Sequence, residues 1–549
     1  MNFEDAVSPA EVGRPQDAVR PVHGVGPADA MRPVAALSEE TARPDAVCSD
    51  AVSSVEAARP GAVVAGAEPP ATPPGLSLRA ALAELAAREP GALLRETAPL
   101  ARAEVAGRFA RRHGGVPAVG VSRSEPAVLH TAVEGAEGPV LLGLYGAEDR
   151  LRRWLPGLPD RITPERARRL TARALPPVRV AEPACRERVT TGDRVDLRRL
   201  PVLTATPRDA GPYLTAALVR AEDPETGETA LSSHRMLVLD RTRLTVWMVP
   251  GRQLGALYER AVGSGRRLPV TVSIGVPPAA MVASALGTRF LPSGLDKLAV
   301  AGALAGAPVA LAPALTQDGA SVLAESEIVL EGYLDGTLAD ETVTGSGWSL
   351  PEFLGYDGRS RAGLPVLTVT AVTHRRDPVY QAVIGPGREQ SHILGTAGAL
   401  SAGLSLPDVP GAGVRELHQA AAGGGMLLLA VAVRKESAEG DAAPARIARS
   451  LLAQHSFLKL VVVTDDDVRI SCPEDLLWAL TTRANLALDT VSRDESGPVP
   501  MDPSGTEEWA RARGGSRPPG RVSVDATTPF ALRERTARSY GLSGAGHDR

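Results

Sequence analysis

Leu200 to Met236 reads LPVLTATPRDAGPYLTAALVRAEDPETGETALSSHRM. A short apolar run breaks at Pro207-Arg208-Asp209 and resumes with strand-like alternation over Tyr213–Val219. It turns at Asp223-Pro224-Glu225-Thr226-Gly227 and returns toward Arg235 and the apolar Met236–Leu239. Proline and glycine at those offsets punctuate a β-hairpin. An arginine delivered to a strand end is either architecture or part of a site, and the hairpin alone leaves both open.

Outward from the hairpin the texture stays β from about residue 186. Leu244–Met248, Leu268–Ile274, Ser326–Leu334 and Val366–Val372 read as short strands, most of them bounded by Gly or Pro. Strands at this spacing suggest a barrel or sandwich, interrupted by helices at Ala279–Leu286 and Lys297–Leu304. Beyond about 376 the pattern is α/β. Met426–Val433 and Leu458–Val463 are continuous apolar runs, as in parallel strands buried on both faces, flanked by helices at Ala443–Gln454 and Glu474–Leu488. Upstream, Leu78, Ala81, Leu82, Leu85 and Ala86 fall on one helical face, a second helix covers Ala101–Arg112, and a third covers 164–175. The expected organisation is therefore a low-complexity extension (1–75), an N-terminal α/β domain (76–185), a central β domain (186–375), a C-terminal α/β domain (376–496) and a tail (497–549) ending in a helix over Phe530–Ala537. Residues 1–75 carry almost no large apolar side chains, so disorder is expected there.

The 549 residues hold 44% hydrophobic and 23% charged side chains, ordinary for a soluble globular chain. A net charge of -4 argues against bulk attraction to nucleic acid or an anionic membrane. Lysine is scarce: only Lys297, Lys435 and Lys459 occur, and the other 57 of the 60 basic residues are Arg. Three scattered cysteines form no zinc or disulfide framework. No apolar run reaches membrane-spanning length and the first residues lack a signal-peptide pattern, so a cytoplasmic protein without membrane insertion is expected.

Eight motifs in order over 76–540 resemble the UbiD-type carboxy-lyases, which use prenylated flavin mononucleotide. They include PVLLGLYG (Pro139–Gly146), LPVLTATPRDAGPYLT, SSHRM, LPVTVSIGVPPAA (Leu268–Ala280), AESEIVLEG (Ala324–Gly332), HRRDPVYQAVIG (His374–Gly385), KLVVVTDDDV with EDLLWALTTR, and VDAT (Val524–Thr527). The resemblance implies an N-terminal α/β domain, a central split β-barrel of flavin-reductase-like form that binds the cofactor, and a C-terminal α/β domain. It also implies a C-terminal helix that joins subunits into a homodimer or higher homo-oligomer.

The same resemblance implies site residues. Arg235 matches the family's substrate-orienting arginine, and Glu341 its first catalytic acid. Ser346 falls where a proton-donating acid is usual, with Glu352 six residues on as a replacement. A serine hydroxyl is a poor general acid beside a tuned carboxylic acid. Ser233, His234, Arg235, Trp247, Met248, Val249, Arg252, Lys297 and Lys435 fall at cofactor-binding positions. The family's metal ligands are missing: Ala230 stands where an asparagine is usual, and Lys297 where an acid is usual. Either Lys297 replaces the metal beside the flavin phosphate, as a point charge can, or it is a surface lysine at a helix start. Glu327 and Glu331, and the Asp465-Asp466-Asp467 cluster, are expected to be structural.

The implied activity is non-oxidative decarboxylation of an α,β-unsaturated or aromatic acid in secondary metabolism. Its partners are a small carboxylic acid substrate and a flavin prenyltransferase that supplies the cofactor. A diverged enzyme without metal-bound prenyl-flavin, or a non-catalytic partner subunit, is the alternative, because fold alone does not decide function.

Overall fold

The computed structural model describes residues 72–113, 125–249, 251–345, 347–352, 354–492, 497, 499, 501–515 and 520–539. Residues 1–71 of the low-complexity extension, Ser346 and the last ten residues lie outside them.

The first layer holds α1 (Leu78–Arg88), β1 (Leu93–Glu96), α2 (Arg102–His113), β2 (Ala127–His130), β3 (Val140–Leu142), α3 (Glu148–Trp154) and α4 (Pro164–Ala172). Pro164 sits at the first position of α4, where its missing N–H costs nothing, and the Thr163 side chain accepts from the Arg166 N–H. This cap starts the helix where the charged 164–175 run predicts one.

The central layer follows: β4 (Val178–Arg179), β5 (Arg188–Thr191), β6 (Tyr213–Leu214), β7 (Leu218–Glu222), β8 (Thr229–Ser233), β9 (Met236–Leu237) and β10 (Arg243–Thr245). Then come α5 (Gln253–Gly263), β11 (Leu268–Ile274), α6 (Pro278–Ser284), α7 (Lys297–Ala305), β12 (Ala310–Pro313), β13 (Ser321–Leu323) and β14 (Ile328–Ala339). β15 (Trp348–Pro351), β16 (Asp357–Arg359) and β17 (Leu364–His374) complete it. β7 and β8 form the hairpin read from the sequence, with Ala221 opposite Ala230. Gly227 makes the turn at φ 69°, a conformation that only glycine adopts at little cost.

The expected split barrel takes the form of an open sheet. Its strands run β10-β17-β14-β11-β7-β8, with β5 paired to β17. The long antiparallel β14–β17 pair forms its centre, and Ala339 opposite Leu364 marks one end. One face packs Val219, Val270, Val272, Leu330 and Val369 into an apolar core. α6 and α7 are buried almost all round and belong to a second core shared with the α/β layers.

β18 (Tyr380–Gln381) returns to the first layer and pairs in parallel with β3. The C-terminal layer is α8 (Arg388–Ser405), β19 (Ala412–Gln419), β20 (Leu428–Lys435), α9 (Ala443–Gln454), β21 (Leu460–Asp465), α10 (Pro473–Thr482), β22 (Thr490–Ser492), α11 (Glu507–Ala512) and β23 (Val522–Ala526). β20, β21 and β23 are parallel neighbours, as the uninterrupted apolar runs predict. Glu389, at the start of α8, accepts from the Gly143 and Tyr145 N–H groups at 2.8 and 3.2 Å, tying this layer to the first.

Two expectations are corrected. α10 ends at Thr482 rather than Leu488. The expected C-terminal helix over Phe530–Ala537 is a 3-10 turn at Phe530–Leu532 followed by further turns. Residues 531–537 are all exposed in the single chain, and short helices without packing are marginal. Among the described residues no helix is long and apolar enough to cross a membrane.

Candidate active site and cofactor crevice

β8 ends at Ser233, and two residues later the chain turns Arg235 inward, with its side chain 7% exposed. Its Nη1 donates to Glu352 Oε1 at 2.5 Å and its Nη2 to Glu341 Oε2 at 2.9 Å. Nη2 also reaches the Arg359 carbonyl at 3.4 Å. Glu341 is fully buried. It accepts from the Tyr213 hydroxyl at 3.3 Å and from the Arg361 N–H at 3.0 Å, and its own N–H donates to the Arg361 carbonyl at 2.8 Å. Burial first, and the Glu341 charge second, hold the Tyr213 phenol protonated by pushing its pKa up. Glu352 is 16% exposed and sits at the turn of the β15–β16 hairpin.

Gly358 makes that placement possible. A Cβ on it would lie 2.5 Å from Ser349 Oγ, 2.7 Å from the Leu350 carbonyl and 2.8 Å from Glu352 Oε1. The carboxylate thus leans on bare backbone.

Trp247 joins a second arginine to the group. The Arg235 guanidinium lies 4.8 Å from the indole centroid and that of Arg361 lies 4.6 Å from it, close enough for cation–π attraction. Among the described residues no carboxylate pairs with the Arg361 side chain, and the Nε atoms of both arginines are buried without hydrogen bonds. Arg361 carries no motif of its own in the sequence. The signal that finds it is register: Ala339 faces Leu364, so residues 341 and 361 meet where the two long strands open.

His234, next to Arg235 in the chain, lies within electrostatic reach of Lys297. Nδ1 of His234 is 2.8 Å from the Trp247 carbonyl, which can only accept, so Nδ1 carries the proton and Nε2 accepts from the Ser232 hydroxyl at 2.7 Å. Burial lowers the His234 pKa to about 4 and keeps the ring neutral. Lys297 opens α7 and is buried. Its Nζ donates to the Leu231 carbonyl at 2.9 Å and the Ser284 carbonyl at 2.8 Å. Desolvation, with Arg252 adding to it, lowers the Lys297 pKa to about 7. Arg252 is partly exposed, and its guanidinium is lowered by desolvation and by Arg289. His455, at the end of α9, is lowered to about 4 by desolvation and then by Arg289 and Arg252. It stacks on Phe290 at 4.5 Å between ring centroids. Arg289 and His455 went unread in the sequence, since one more arginine in this composition carries no signal.

The structure brings together Arg235, Glu341, Glu352, Trp247 and His234, with Lys297 within electrostatic reach of His234 and Arg252 within reach of Lys297. Ser233 is exposed at the end of β8, and Met248 and Val249 are half-buried beside Trp247. Lys435 is engaged elsewhere, by Asp441 at 2.7 Å and the Thr528 carbonyl at 2.9 Å. Glu327 holds Arg79 and the Val379 N–H, while Glu331 holds the Leu315 and Thr316 N–H groups. Asp465 and Asp467 close on Arg483, and Asp466 on Arg434. These acids are ties within the fold.

The cluster of cations suits the phosphate of a flavin mononucleotide. The donor set at Lys297 does not suit a divalent metal, which takes hard oxygen ligands. Ala230 offers no donor atom and packs into the apolar core, and an ammonium already occupies the two carbonyls.

Residues 177–389 match the 3-octaprenyl-4-hydroxybenzoate carboxy-lyase Rift-related domain and 395–526 match the C-terminal domain of the same carboxy-lyases, the UbiD family. The chain is 33% identical over 367 residues to the gallate decarboxylase of Lactiplantibacillus plantarum, covering 65% of this chain and 73% of that protein. Among solved structures it is similar to the apo 3,4-dihydroxybenzoic acid decarboxylase of Enterobacter cloacae, with a TM-score of 0.76 and 30% identity over 85% of this chain and 97% of that one. It is also similar to a UbiD-class enzyme of Pelotomaculum thermopropionicum in complex with FMN, with a TM-score of 0.72 and 27% identity over 85% of this chain and 98% of that one.

Proposed function

This chain belongs to the UbiD family of carboxy-lyases, and we propose that it decarboxylates an aromatic acid without net oxidation on a prenylated flavin mononucleotide. The observation that carries the reading is the buried Glu341–Arg235–Glu352 group on the indole of Trp247. Arginine is suited to orient a carboxylate, and two carboxylates stand beside it. The gallate and dihydroxybenzoate decarboxylases among its relatives favour a hydroxylated benzoic acid over an acyclic one.

Charge counting assigns the proton. Arg235 and Arg361 balance Glu341 and Glu352. A substrate carboxylate adds one negative charge, and like charge at short range raises the pKa of a neighbouring carboxylate. Glu352 is the more exposed of the two acids, so it takes up the proton from solvent as substrate binds. The bound flavin would supply the electron-accepting ring for the cleavage. The C–C bond breaks, carbon dioxide leaves, and the bonding pair that it leaves behind ends as the new C–H bond at the ring carbon. Glu352 delivers its proton there, which restores the carboxylate beside Arg235. In this reading Glu352 does the work that the motif spacing assigned to Ser346, and Arg361 steadies the substrate carboxylate beside Arg235.

Co-expression with a flavin prenyltransferase, followed by absorbance and mass spectra of the purified protein, tests the cofactor. Carbon dioxide release from gallate, 3,4-dihydroxybenzoate and cinnamate tests the substrate class. Bound flavin with release from an aromatic acid is the expected result, and a protein that takes up no flavin overturns the reading. A homodimer or larger assembly would suit the exposed Leu477, Leu486, Leu488 and Val491 on the C-terminal layer, and sedimentation measures it directly.

A further inference from the structure

Lys297 is a cation without an anion. It is 8% exposed, and the two groups its Nζ touches are main-chain carbonyls. An ammonium has three donors, so one N–H remains. The nearest acid, Asp296, is committed elsewhere: it caps the Leu298 N–H at 2.8 Å and takes Arg220 at 3.2 Å. A buried charge without a partner is expensive, and its ordinary remedies are a counter-charge or loss of the proton.

The neighbours deepen the imbalance. Arg252 acts on Lys297, Arg289 acts on Arg252, and both arginines act on His455, each by like-charge repulsion. Among the described residues no carboxylate pairs with Arg252 or Arg289. Arg252, at the start of α5, thus stands within electrostatic reach of the ammonium, and Arg289, in the turn before α7, within reach of Arg252. This succession of positive groups is complementary to a dianion. It is not complementary to a divalent metal, whose site would have to expel the ammonium and would find no carboxylate.

Resting on the flavin reading above, we propose that Lys297 is the resident cation of the cofactor-phosphate crevice. Its free N–H, with Arg252 and Arg289, neutralises the phosphate of the flavin mononucleotide, and the chain holds that phosphate without a divalent metal. The two carbonyls fix the ammonium in place, so that its position does not depend on the ligand. Arg252, exposed at the rim, closes on the phosphate from the solvent side.

The test uses FMN itself as the probe, with riboflavin as the control that lacks the phosphate, titrated by fluorescence quenching into the full-length protein. The wild type is expected to bind FMN equally well in excess EDTA and in manganese. Lys297→Met, close in volume and uncharged, is expected to weaken FMN about tenfold or more, equivalent to roughly 1.4 kcal/mol, and to leave riboflavin unchanged. Lys297→Glu is expected to bind FMN only when manganese is added. FMN affinity of the wild type that collapses in EDTA and returns with manganese overturns the proposal and leaves the flavin reading standing, as does a Lys297→Met protein with unaltered FMN affinity. A wild type that binds no FMN under any condition overturns both.

Discussion

Arg235 is held by two carboxylates that differ in exposure, 0% for Glu341 and 16% for Glu352, and their replacements should separate two roles. Glu341→Ala leaves a buried guanidinium without its main partner and strands the Tyr213 hydroxyl and the Arg361 N–H. Breaking a buried pair from one side costs about 3–5 kcal/mol, so denaturant titration should show a loss of that order. Glu352→Gln should fold and bind FMN as the wild type does, yet lower kcat by about 10²–10⁴-fold, the usual worth of a general acid. Lys297 carries a pH signature as well. Its pKa is about 7 without ligand, with Arg252 lowering it and Asp296 raising it, and a bound phosphate raises it further. Above about pH 7 the lysine must therefore take up a proton to bind, and FMN affinity should fall as the pH rises, by up to about tenfold per unit. Titration at several pH values, with calorimetry in two buffers of different ionisation enthalpy, measures that proton uptake.

The β15–β16 hairpin is the element that carries the proposed acid, and no strand pattern marks it in the sequence. Its strands are three and four residues long, too short for a period to show. Gly358→Ala is the sharpest probe of this element. The new Cβ would meet the Leu350 carbonyl and the Glu352 carboxylate, so turnover should drop while FMN binding is kept. Unchanged turnover in that variant would argue against any role for the hairpin. The long elements behave differently. β20 and β21 were readable because burial on both faces writes a continuous apolar run, and α7 because Asp296 caps its start and its interior is apolar throughout. The C-terminal segment misled because its spacing resembles a helix while residues 531–537 are exposed and bury no apolar face in this chain.

Across the whole molecule, buried titratable groups pull stability in opposite directions. The pKa values of His234 and His455 are depressed to about 4. The unfolded chain then binds more protons between about 6.5 and 4, and stability is lost as the pH falls through that window. Glu125 and Glu389 are raised to about 7 by burial. The folded chain binds more protons between 4.5 and 7, so their contribution grows as the pH falls. The two effects offset each other over mild acid. Glu389→Gln removes one side of the balance, and its thermal midpoint should decline on acidification from pH 6.5 more steeply than that of the wild type. Parallel melting curves for the two proteins would refute this account.

By itself the sequence determined the order of layers, the parallel C-terminal strands, the β7–β8 hairpin and the family. These are written in local periods, turn residues and motif order, which survive without knowledge of contacts. It also pointed to Arg235, Glu341 and Glu352, because they stand near motifs or at fixed offsets from them. Only the tertiary structure decided that Arg361 shares Trp247 with Arg235, that Lys435 is spent on Asp441, and that Arg252 stands within electrostatic reach of Lys297 and of Arg289. Those meetings join residues on separate elements, and in a chain whose basic residues are nearly all arginine no single one stands out. The charge that matters at Lys297 comes from burial and convergence, which depend on the packed fold.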